Sequence, residues 1–497
     1  MTNNNEDNDQ FNHQSNHQAS HQTSHQTSHQ TTYKSAAAET DTHIQHRLQQ
    51  LLIELQLDAA PAGGALVVFH KGKCIVQASV GLARADLAWS ADTLSLNFST
   101  GKGILATLVH VLVSQQMLDY DMPIAHYWPA FAAQGKEHIT LRNVLSHQAN
   151  LFSIQSIDAD NETVLDWNVM LEKIAAMPIT VPEEAALYDS AYSALVYGWV
   201  LGGLIEAVTN MSLAEALRYY LTEPLGIADS CYFGVPDSKV NKVAHLVKYF
   251  EVIAQEGDLD MNQQPAQTHS RRSKPVLRAD SENIRHTYAR LPSYACWQEK
   301  AGNDRKMEGE IASLDTAQIN RLYFNNSQLN IKNYKSALVL ANKQPIDYYH
   351  QQTLQAIIPA ANGVASAQAL ATIYAMLANG GVWQGQTLID EATFKQLSTP
   401  QVTGMDAVMP AHMAWRLGYH RRFSICQSKG LDKNANDAAD ITEQSFGHMG
   451  YNGSVAWCDP ARQLSFAFIH NFDVTMLNDI RQFALTEAVL SLVDAET

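Results

Sequence analysis

The sequence predicts a mixed α/β protein of the α+β type, in which strands from both chain ends build one antiparallel sheet flanked by helices. The stretch ALVVFHKGKCIVQAS (65–79) predicts two strands joined by a Lys-Gly-Lys turn. The stretch SVAWCDPARQLSFAFIHN (454–471) predicts a second hairpin that turns at Asp459-Pro460. Helical periodicity dominates residues 99–226, so we expect a mainly helical subdomain between the strands.

Three further segments have the apolar spacing of helices. The stretch HIQHRLQQLLIELQ (43–56) predicts a helix at the start of the folded part. The stretch NGVASAQALATIYAMLANGG (362–381) predicts a helix that begins after Asn362-Gly363 and ends at Gly380-Gly381. A last helix, over roughly residues 477–493, is expected to close the chain.

Composition divides the chain into a tail and one folded domain. Residues 1–40 are rich in His and Gln and repeat SHQT, so we expect them to be disordered. Residues 41–497 are expected to form a single domain of the hydrolase type identified below. Within it, residues 250–330 are polar and weakly periodic, which predicts an insertion that is part loop and part lid.

Charge and cysteine content exclude several classes of protein. The net charge of −16 argues against nucleic acid or an anionic membrane as the main partner. The five scattered cysteines favour neither a disulfide framework nor a zinc cluster, and they suit a reducing compartment. No secretory signal is visible, and the most apolar run, residues 194–208, is too short to cross a bilayer and contains Glu206. We therefore expect a cytoplasmic protein without a membrane span.

The stretch LNFSTGKGILATLVHVLVSQQMLD (96–119) allows three hypotheses. Ser99 is a favoured residue type for capping the helix that follows. Alternatively, GKGILA (101–106), with Asp119 and Asp121 about twenty residues further on, matches a dinucleotide-binding fingerprint, although no βαβ unit surrounds it.

The third hypothesis is that Ser99 and Lys102 form an S-x-x-K nucleophile motif. Residues three apart on a helix share one face, so the lysine amine can reach the serine hydroxyl. The positive end of the helix dipole disfavours the lysine charge, and a neutral lysine can act as a base toward the serine. One such motif is expected by chance in a chain of this length, so the hypothesis needs partner motifs.

Two downstream stretches supply these partners: YSALVYGWVLGGLIEAVTN (192–210) and FGHMGYNGSVAWCDP (446–460). With Ser99-Lys102, Tyr192-Ser193-Ala194 and His448-Met449-Gly450 in this order, the chain resembles the serine β-lactamase and penicillin-binding-protein-like hydrolases. It is most similar to class C β-lactamases and family VIII carboxylesterases. The resemblance covers most of residues 60–235 and 355–472 and implies a β-lactamase/transpeptidase-like fold.

The chain departs from the family pattern at two positions. The motif that often reads Y-x-N ends here in Ala194, and Tyr188-Asp189-Ser190 is a rival placement, although the spacing from Tyr192 to Gly198 fits the family better. The third motif carries His448 where the β-lactam-binding members have a lysine that helps to seat an anionic substrate. This substitution favours neutral esters over β-lactams.

The resemblance implies acyl transfer through a covalent intermediate on Ser99, without a cofactor or metal. Lys102 would hold or take the serine proton, and Tyr192, as a phenolate or a hydrogen-bond relay, would share this duty and protonate the leaving alcohol. A neighbouring cation is expected to lower the tyrosine pKa. The backbone N–H groups of Ser99 and Tyr451 would hold the oxyanion, Gly450 would allow close approach, and His448 would line the pocket.

We therefore expect a serine hydrolase that acts on small esters, with a small-molecule ester or amide as its partner. β-Lactamase or D-amino-acid peptidase activity is one alternative. A catalytically silent binding protein of the same fold is the other. The sequence does not indicate the oligomeric state.

Overall fold

The computed structural model describes residues 42–56, 62–248, 281–303, 313–426 and 444–496. The predicted tail (1–40) lies outside the described residues, as do two parts of the predicted insertion, 249–280 and 304–312. The strands, in chain order, are β1 Gly63–His70, β2 Lys73–Arg84, β3 Leu87–Ala88, β4 Ser95–Phe98, β5 Cys231–Tyr232, β6 Val247–Lys248, β7 Gly363–Ala365, β8 Val382–Trp383, β9 Gln386–Thr387, β10 Val402–Met405, β11 His412–Trp415, β12 His420–Arg421, β13 Phe446–Met449, β14 Val455–Asp459, β15 Leu464–His470 and β16 Phe472–Asp473.

The helices surround these strands and fill the middle of the chain. They are α1 Thr42–Glu54, α2 Gly101–Ser114, α3 Ile124–Tyr127, α4 Leu141–Leu145, α5 Trp167–Ala176, α6 Val196–Thr209, α7 Leu213–Leu217, α8 Asp237–Val240, α9 Glu282–Ala289, α10 Tyr294–Asn303, α11 Thr316–Arg321, α12 Ile331–Leu338, α13 Gln351–Gln355, α14 Ala367–Ala378, α15 Glu391–Ser398 and α16 Arg481–Glu496. Short 3₁₀ or π turns occur at Pro129–Gly135, Ile154–Ser156, Thr163–Leu165, Ala185–Leu187, Arg218–Thr222 and Asn326–Gln328.

The central sheet joins strands from both chain ends, as the sequence predicts. Its order is β12-β13-β14-β15-β1-β2-β3, and every neighbouring pair is antiparallel. The β1–β2 hairpin turns on Lys71 and Gly72, both with positive φ, a combination that suits the twist of a two-residue hairpin loop. The turn of the β14–β15 hairpin begins directly after Asp459, as the sequence predicts.

Both faces of the sheet are buried, so its central strands are apolar at nearly every position. On β1, Ala65 and Val67 face a core formed with α2, α6 and α14, whereas Leu66 and Val68 face a second core formed with α1 and α16. This alternation follows from the two-residue period of a strand. We call the two sides the α2 face and the α16 face.

Two predicted helices have different bounds in the structure. The stretch 362–381 contains the short strand β7 before α14, which starts after the capping side chain of Ser366 and ends before Gly380 at φ +67°. The last helix, α16, runs over Arg481–Glu496 and therefore begins four residues later than expected.

The described part of the predicted insertion is more regular than its weak periodicity indicated. Residues 281–303 and 313–330 contain α9, α10 and α11, which bury Ile284, Trp297 and Phe324 against the α16 face. These helices have only 8, 10 and 6 residues, so each gives only a short periodic signal in the sequence.

Two cysteines that are distant along the chain form a disulfide, which their spacing did not indicate. Cys296 on α10 bonds to Cys426, and their Cα atoms are 5.8 Å apart. Cys74, Cys231 and Cys458 are buried free thiols. The bond links the 281–303 segment to the chain that follows β12.

No single helix in the part of the chain that the structure describes is long and apolar enough to cross a membrane. The segments Val196–Thr209 and Leu213–Thr222 reach that length and composition only together, across a bend of 80°.

Candidate active site

Ser99 lies in the turn between β4 and α2. The preceding residue, Phe98, has a φ of +49°, which is a costly conformation for an aromatic residue and exposes the Ser99 side chain at a sharp bend. Thr100 occupies the N-cap position of α2 without a side-chain capping bond, so the hypothesis that Ser99 caps this helix is wrong. The Ser99 hydroxyl points instead to the Lys102 amine.

Lys102 Nζ lies 2.8 Å from Ser99 Oγ, and it donates to the carbonyl oxygens of Ala194 and Ala360 at 2.7 Å each. The side chain is completely buried. All three of these contacts are with neutral oxygens, so no carboxylate among them offsets the desolvation of a charged amine. Burial therefore lowers the pKa of Lys102 well below its ordinary value.

Tyr192 stands on the other side of Ser99. Its hydroxyl is near enough to the Ser99 side chain for Ser99 to lower the Tyr192 pKa, and Lys102 Nζ is 5.1 Å from the centroid of the Tyr192 ring. Burial raises the pKa of Tyr192, so the expectation that a neighbouring cation lowers this pKa is wrong. Asp406 and Tyr334 add to this rise, whereas the Ser99 side chain opposes it. The rival Tyr188 lies outside this constellation.

The third motif lies at the end of β13, which brings it against the nucleophile turn. A Cβ atom on Gly450 would lie 2.5 Å from the carbonyl oxygen of Asn97, so only glycine allows this approach. Thr100 Oγ1 stabilises the same contact by donating a hydrogen bond to the Ser454 carbonyl oxygen at 2.9 Å. The structure thus brings Gly450 and Tyr451 beside Ser99.

The two predicted oxyanion donors are both available. Among the described residues, the backbone N–H groups of Ser99 and Tyr451 donate no hydrogen bond. The Gly450 carbonyl, which shares a peptide unit with the Tyr451 N–H, accepts a bond from the N–H of Gly453 at 3.0 Å, and this bond fixes the orientation of the peptide. Unpaired backbone N–H groups near a nucleophilic serine are the type of donor that stabilises a tetrahedral oxyanion.

His448 is buried beside Tyr192, with ring centroids 6.1 Å apart. Its Nδ1 lies 3.0 Å from the Met449 carbonyl and therefore carries the proton, so Nε2 is left as an acceptor that has no partner among the described residues. Burial, then the nearby His420 and Lys102, lower the pKa of His448 well below its ordinary value. His448 is thus a neutral acceptor at the position where the family pattern that the sequence resembles has a lysine.

The family model named Beta-lactamase matches residues 42–490, nearly the whole chain. The chain belongs to the Beta-lactamase family. The esterase/beta-lactamase LipL of Mycobacterium tuberculosis is 30% identical over 419 residues, which cover 82% of this chain and 77% of that protein. Esterase EstB of Burkholderia gladioli is 26% identical over 186 residues, which cover 34% of this chain and 46% of that protein.

Solved structures share the fold of this Beta-lactamase family member. A penicillin-binding protein homologue from Caulobacter crescentus has a TM-score of 0.63 at 25% identity, over 90% of this chain and 97% of that one. A family VIII carboxylesterase has a TM-score of 0.63 at 21% identity, with the same coverage. The predicted β-lactamase/transpeptidase-like fold is therefore confirmed.

The dinucleotide hypothesis is wrong for this Beta-lactamase family chain. The strand before the glycines, β4, pairs antiparallel with β7 and belongs to no βαβ unit. Gly103 packs so closely that a Cβ atom there would lie 2.1 Å from Tyr374 Oη, which explains this glycine without a nucleotide. Asp121 forms an exposed ion pair with Arg142.

Three residues of the site lie outside the predicted motifs: His147, Asp406 and Trp415. His147 and Trp415 pack on the Tyr192 ring at 5.0 and 5.4 Å, and Trp415 is stacked on it at an angle of 7°. Asp406 accepts hydrogen bonds from the Ser190 hydroxyl and from the backbone N–H of Tyr192. All three lie within the ranges that the family resemblance covers, 60–235 and 355–472, but none belongs to the three motifs that carry it.

Aromatic side chains surround the approach to Ser99. Phe98 packs edge-on against Tyr348 at 5.3 Å and against Tyr451 at 5.9 Å. Tyr334 on α12 is near enough to Tyr192 to contribute to its raised pKa, and Tyr451 contributes likewise to that of Tyr334. We call Phe98, Tyr334, Tyr348 and Tyr451 the aromatic rim.

No group of three or more His, Cys, Asp or Glu side chains within the described ranges has an arrangement that could hold a metal ion.

Proposed function

We propose that this protein is a serine hydrolase that cleaves small carboxylic esters through an acyl-enzyme on Ser99. One observation carries the proposal: a buried lysine without a carboxylate partner among the described residues lies 2.8 Å from the serine hydroxyl. In the neutral amine, two N–H groups donate hydrogen bonds to the Ala194 and Ala360 carbonyl oxygens. The lone pair is therefore directed toward Ser99 Oγ.

In the acylation step, the Ser99 Oγ–H proton passes to Lys102 Nζ as Oγ forms a bond to the ester carbonyl carbon. The carbonyl oxygen becomes an oxyanion, which the N–H groups of Ser99 and Tyr451 stabilise. The C–O bond to the alcohol then breaks, and the leaving oxygen takes a proton from Tyr192, which is reprotonated by the Lys102 ammonium. A protonated phenol suits this relay better than a phenolate.

Deacylation repeats these steps with water as the nucleophile. Water loses a proton through the same pair of side chains and forms a C–O bond to the acyl carbon. The bond from the acyl carbon to Oγ breaks, Oγ recovers its proton, and the carboxylic acid leaves.

Neutral substrates suit this site better than anionic ones. His448 is neutral and offers a lone pair through Nε2, which accepts a hydrogen bond and repels a carboxylate. The aromatic rim offers apolar surface for the acyl or alcohol group. Both features support esters over β-lactams and peptides, which carry a carboxylate. The name of the relative LipL includes both activities, so β-lactam hydrolysis is the second candidate.

Labelling with a fluorophosphonate tests the nucleophile. We expect mass spectrometry to locate the label on Ser99, with none on Ser99→Ala and undiminished labelling of the exposed control Ser327→Ala. A label on another residue would contradict the proposal. A folded protein that takes no label would be a silent binding protein of the same fold.

Replacing two nearby tyrosines tests the proton relay. Tyr192→Phe should lower kcat/KM for p-nitrophenyl butyrate about 10²–10³-fold, because the leaving alcohol loses its proton donor. Tyr188→Phe, at the rival position, is the matched control and should retain activity. Equal losses in both variants would refute the assignment. A higher kcat/KM for nitrocefin than for the ester would instead overturn the preference for esters.

A further inference from the structure

Asp406 is a buried carboxylate that the steps above do not use. It lies between β10 and β11, beyond the predicted motifs, and it is 2% exposed. Its Oδ1 accepts hydrogen bonds from the backbone N–H groups of Tyr192 at 3.2 Å, Val408 at 2.8 Å and Met409 at 2.9 Å. A single carboxylate oxygen thus connects the backbone at Tyr192 to a segment 214 residues further along the chain.

The other oxygen of Asp406 fixes the tryptophan that stacks on the phenol. Oδ2 accepts from Ser190 Oγ at 2.7 Å and from Trp415 Nε1 at 3.2 Å. The Trp415 and Tyr192 rings are 5.4 Å apart and nearly parallel. Asp406 therefore holds both the backbone of Tyr192 and the surface against which its ring lies.

His147 holds the same loop from the opposite side. Its carbonyl oxygen accepts from the Ala191 N–H at 3.0 Å, and its Nδ1 accepts from the Ser193 N–H at 3.2 Å. The residues on both sides of Tyr192 are therefore fixed. His147 has a φ of +58°, a strained conformation that brings both of its acceptors to this loop.

We propose that Asp406 is a positioning residue that holds the Tyr192 phenol against Ser99 through the Tyr192 N–H and the stacked Trp415. This inference rests on the proposed function. The phenol must lie within hydrogen-bond distance of the reacting oxygen throughout turnover, and a displacement of about 1 Å can reduce a rate about 10²-fold. Five accepted bonds are more than burial of one carboxylate requires.

The test counts active sites by fluorophosphonate titration and divides kcat by that count. Asp406→Ala should lower kcat per labelled site about 10²-fold, with KM within about 2-fold, because substrate contacts remain. Asp406→Asn should recover about 10-fold of this loss, since its carbonyl oxygen can still accept from the Tyr192 N–H while its amide group cannot accept from Trp415 Nε1.

Glu487 provides the matched control. It is another buried carboxylate that accepts two backbone N–H groups, from Ile425 and Cys426, but it lies on α16. Glu487→Gln should lower stability and leave kcat per labelled site unchanged.

If Asp406→Ala does not fold, Trp415→Phe decides the question. It retains an aromatic ring but loses the bond to Asp406, so we expect about a 10-fold loss in kcat per site. Unchanged kcat per labelled site in the variants of Asp406 and Trp415 would overturn the positioning role. Absence of label on Ser99 in the parent protein would instead overturn the proposed function.

Discussion

Lys102 and Arg422 are both cations that the fold buries completely, yet their surroundings are opposite. Lys102, on the α2 face, meets only neutral oxygens among the described residues. Arg422, on the α16 face, donates to Asp459 at 2.8 Å, and both of these side chains are at most 2% exposed. Arg462 donates to the same carboxylate at 2.8 Å and also pairs with Asp494.

The presence or absence of a carboxylate partner determines which of the two side chains can act as a base. Burial lowers the pKa of Arg422, but Asp459 opposes this effect and a guanidinium stays charged at any ordinary pH. Although burial alone raises it, Arg422 and Arg462 hold the pKa of Asp459 below its ordinary value. Lys102 has no carboxylate partner among the described residues, and burial lowers its pKa well below the ordinary value. Removing one partner of a buried ion pair is costly, whereas a buried amine without a counter-ion gives up its proton more readily.

The largest effect is expected at Lys102. Lys102→Met should lower kcat/KM about 10³-fold, because Ser99 loses its base. Its free energy of unfolding at pH 7 should be at least that of the parent, since the parent buries an amine that must give up its proton. Ester hydrolysis and urea denaturation measure the two effects. A variant that unfolds as readily as the Arg422 variant below would show that Lys102 is mainly structural.

The converse result is expected at Arg422. Arg422→Met should lower the free energy of unfolding by about 3 kcal/mol, because Asp459 stays buried with one partner fewer. The value lies at the low end of such losses since Arg462 still pairs with Asp459. Urea denaturation measures the loss, and kcat per labelled site should be unchanged. A loss of kcat in the folded fraction would show that Arg422 also affects catalysis. This result would contradict the difference inferred between the α2 face and the α16 face.

The sequence predicts the parts of this comparison that depend on local spacing. Ser99 and Lys102 are three residues apart, so their contact follows from helix geometry once α2 is recognised. The two hairpins of the central sheet carry their own turn residues, Lys71-Gly72 and Asp459-Pro460. Such features can be read from the chain because each is completed within a few residues.

The remaining features depend on contacts between distant segments. Asp406 and Tyr192 are 214 residues apart in the sequence, and Cys296 and Cys426 are 130 residues apart. No local sequence pattern therefore predicts either contact. The direction of the Tyr192 pKa shift could not be predicted because it depends mainly on burial by distant segments. The roles of the predicted oxyanion donors and of His448 stay predictions until the site is tested.

The smallest effect is a pH dependence that should distinguish the two cations. Between the pKa of Lys102 in the folded protein and its ordinary value of 10.5, the unfolded chain binds a proton that the folded protein does not. The stability of the parent relative to Lys102→Met should therefore rise with pH in this window, by about 1.4 kcal/mol per unit, and level off above 10.5. Urea titrations at pH 8 and 9 measure this slope. The stability of the parent relative to Arg422→Met should be flat over the same interval, because Arg422 is charged in both states. A flat difference for Lys102→Met as well would mean that the folded protein keeps a charged ammonium beside Ser99, which would remove the base from the proposed mechanism.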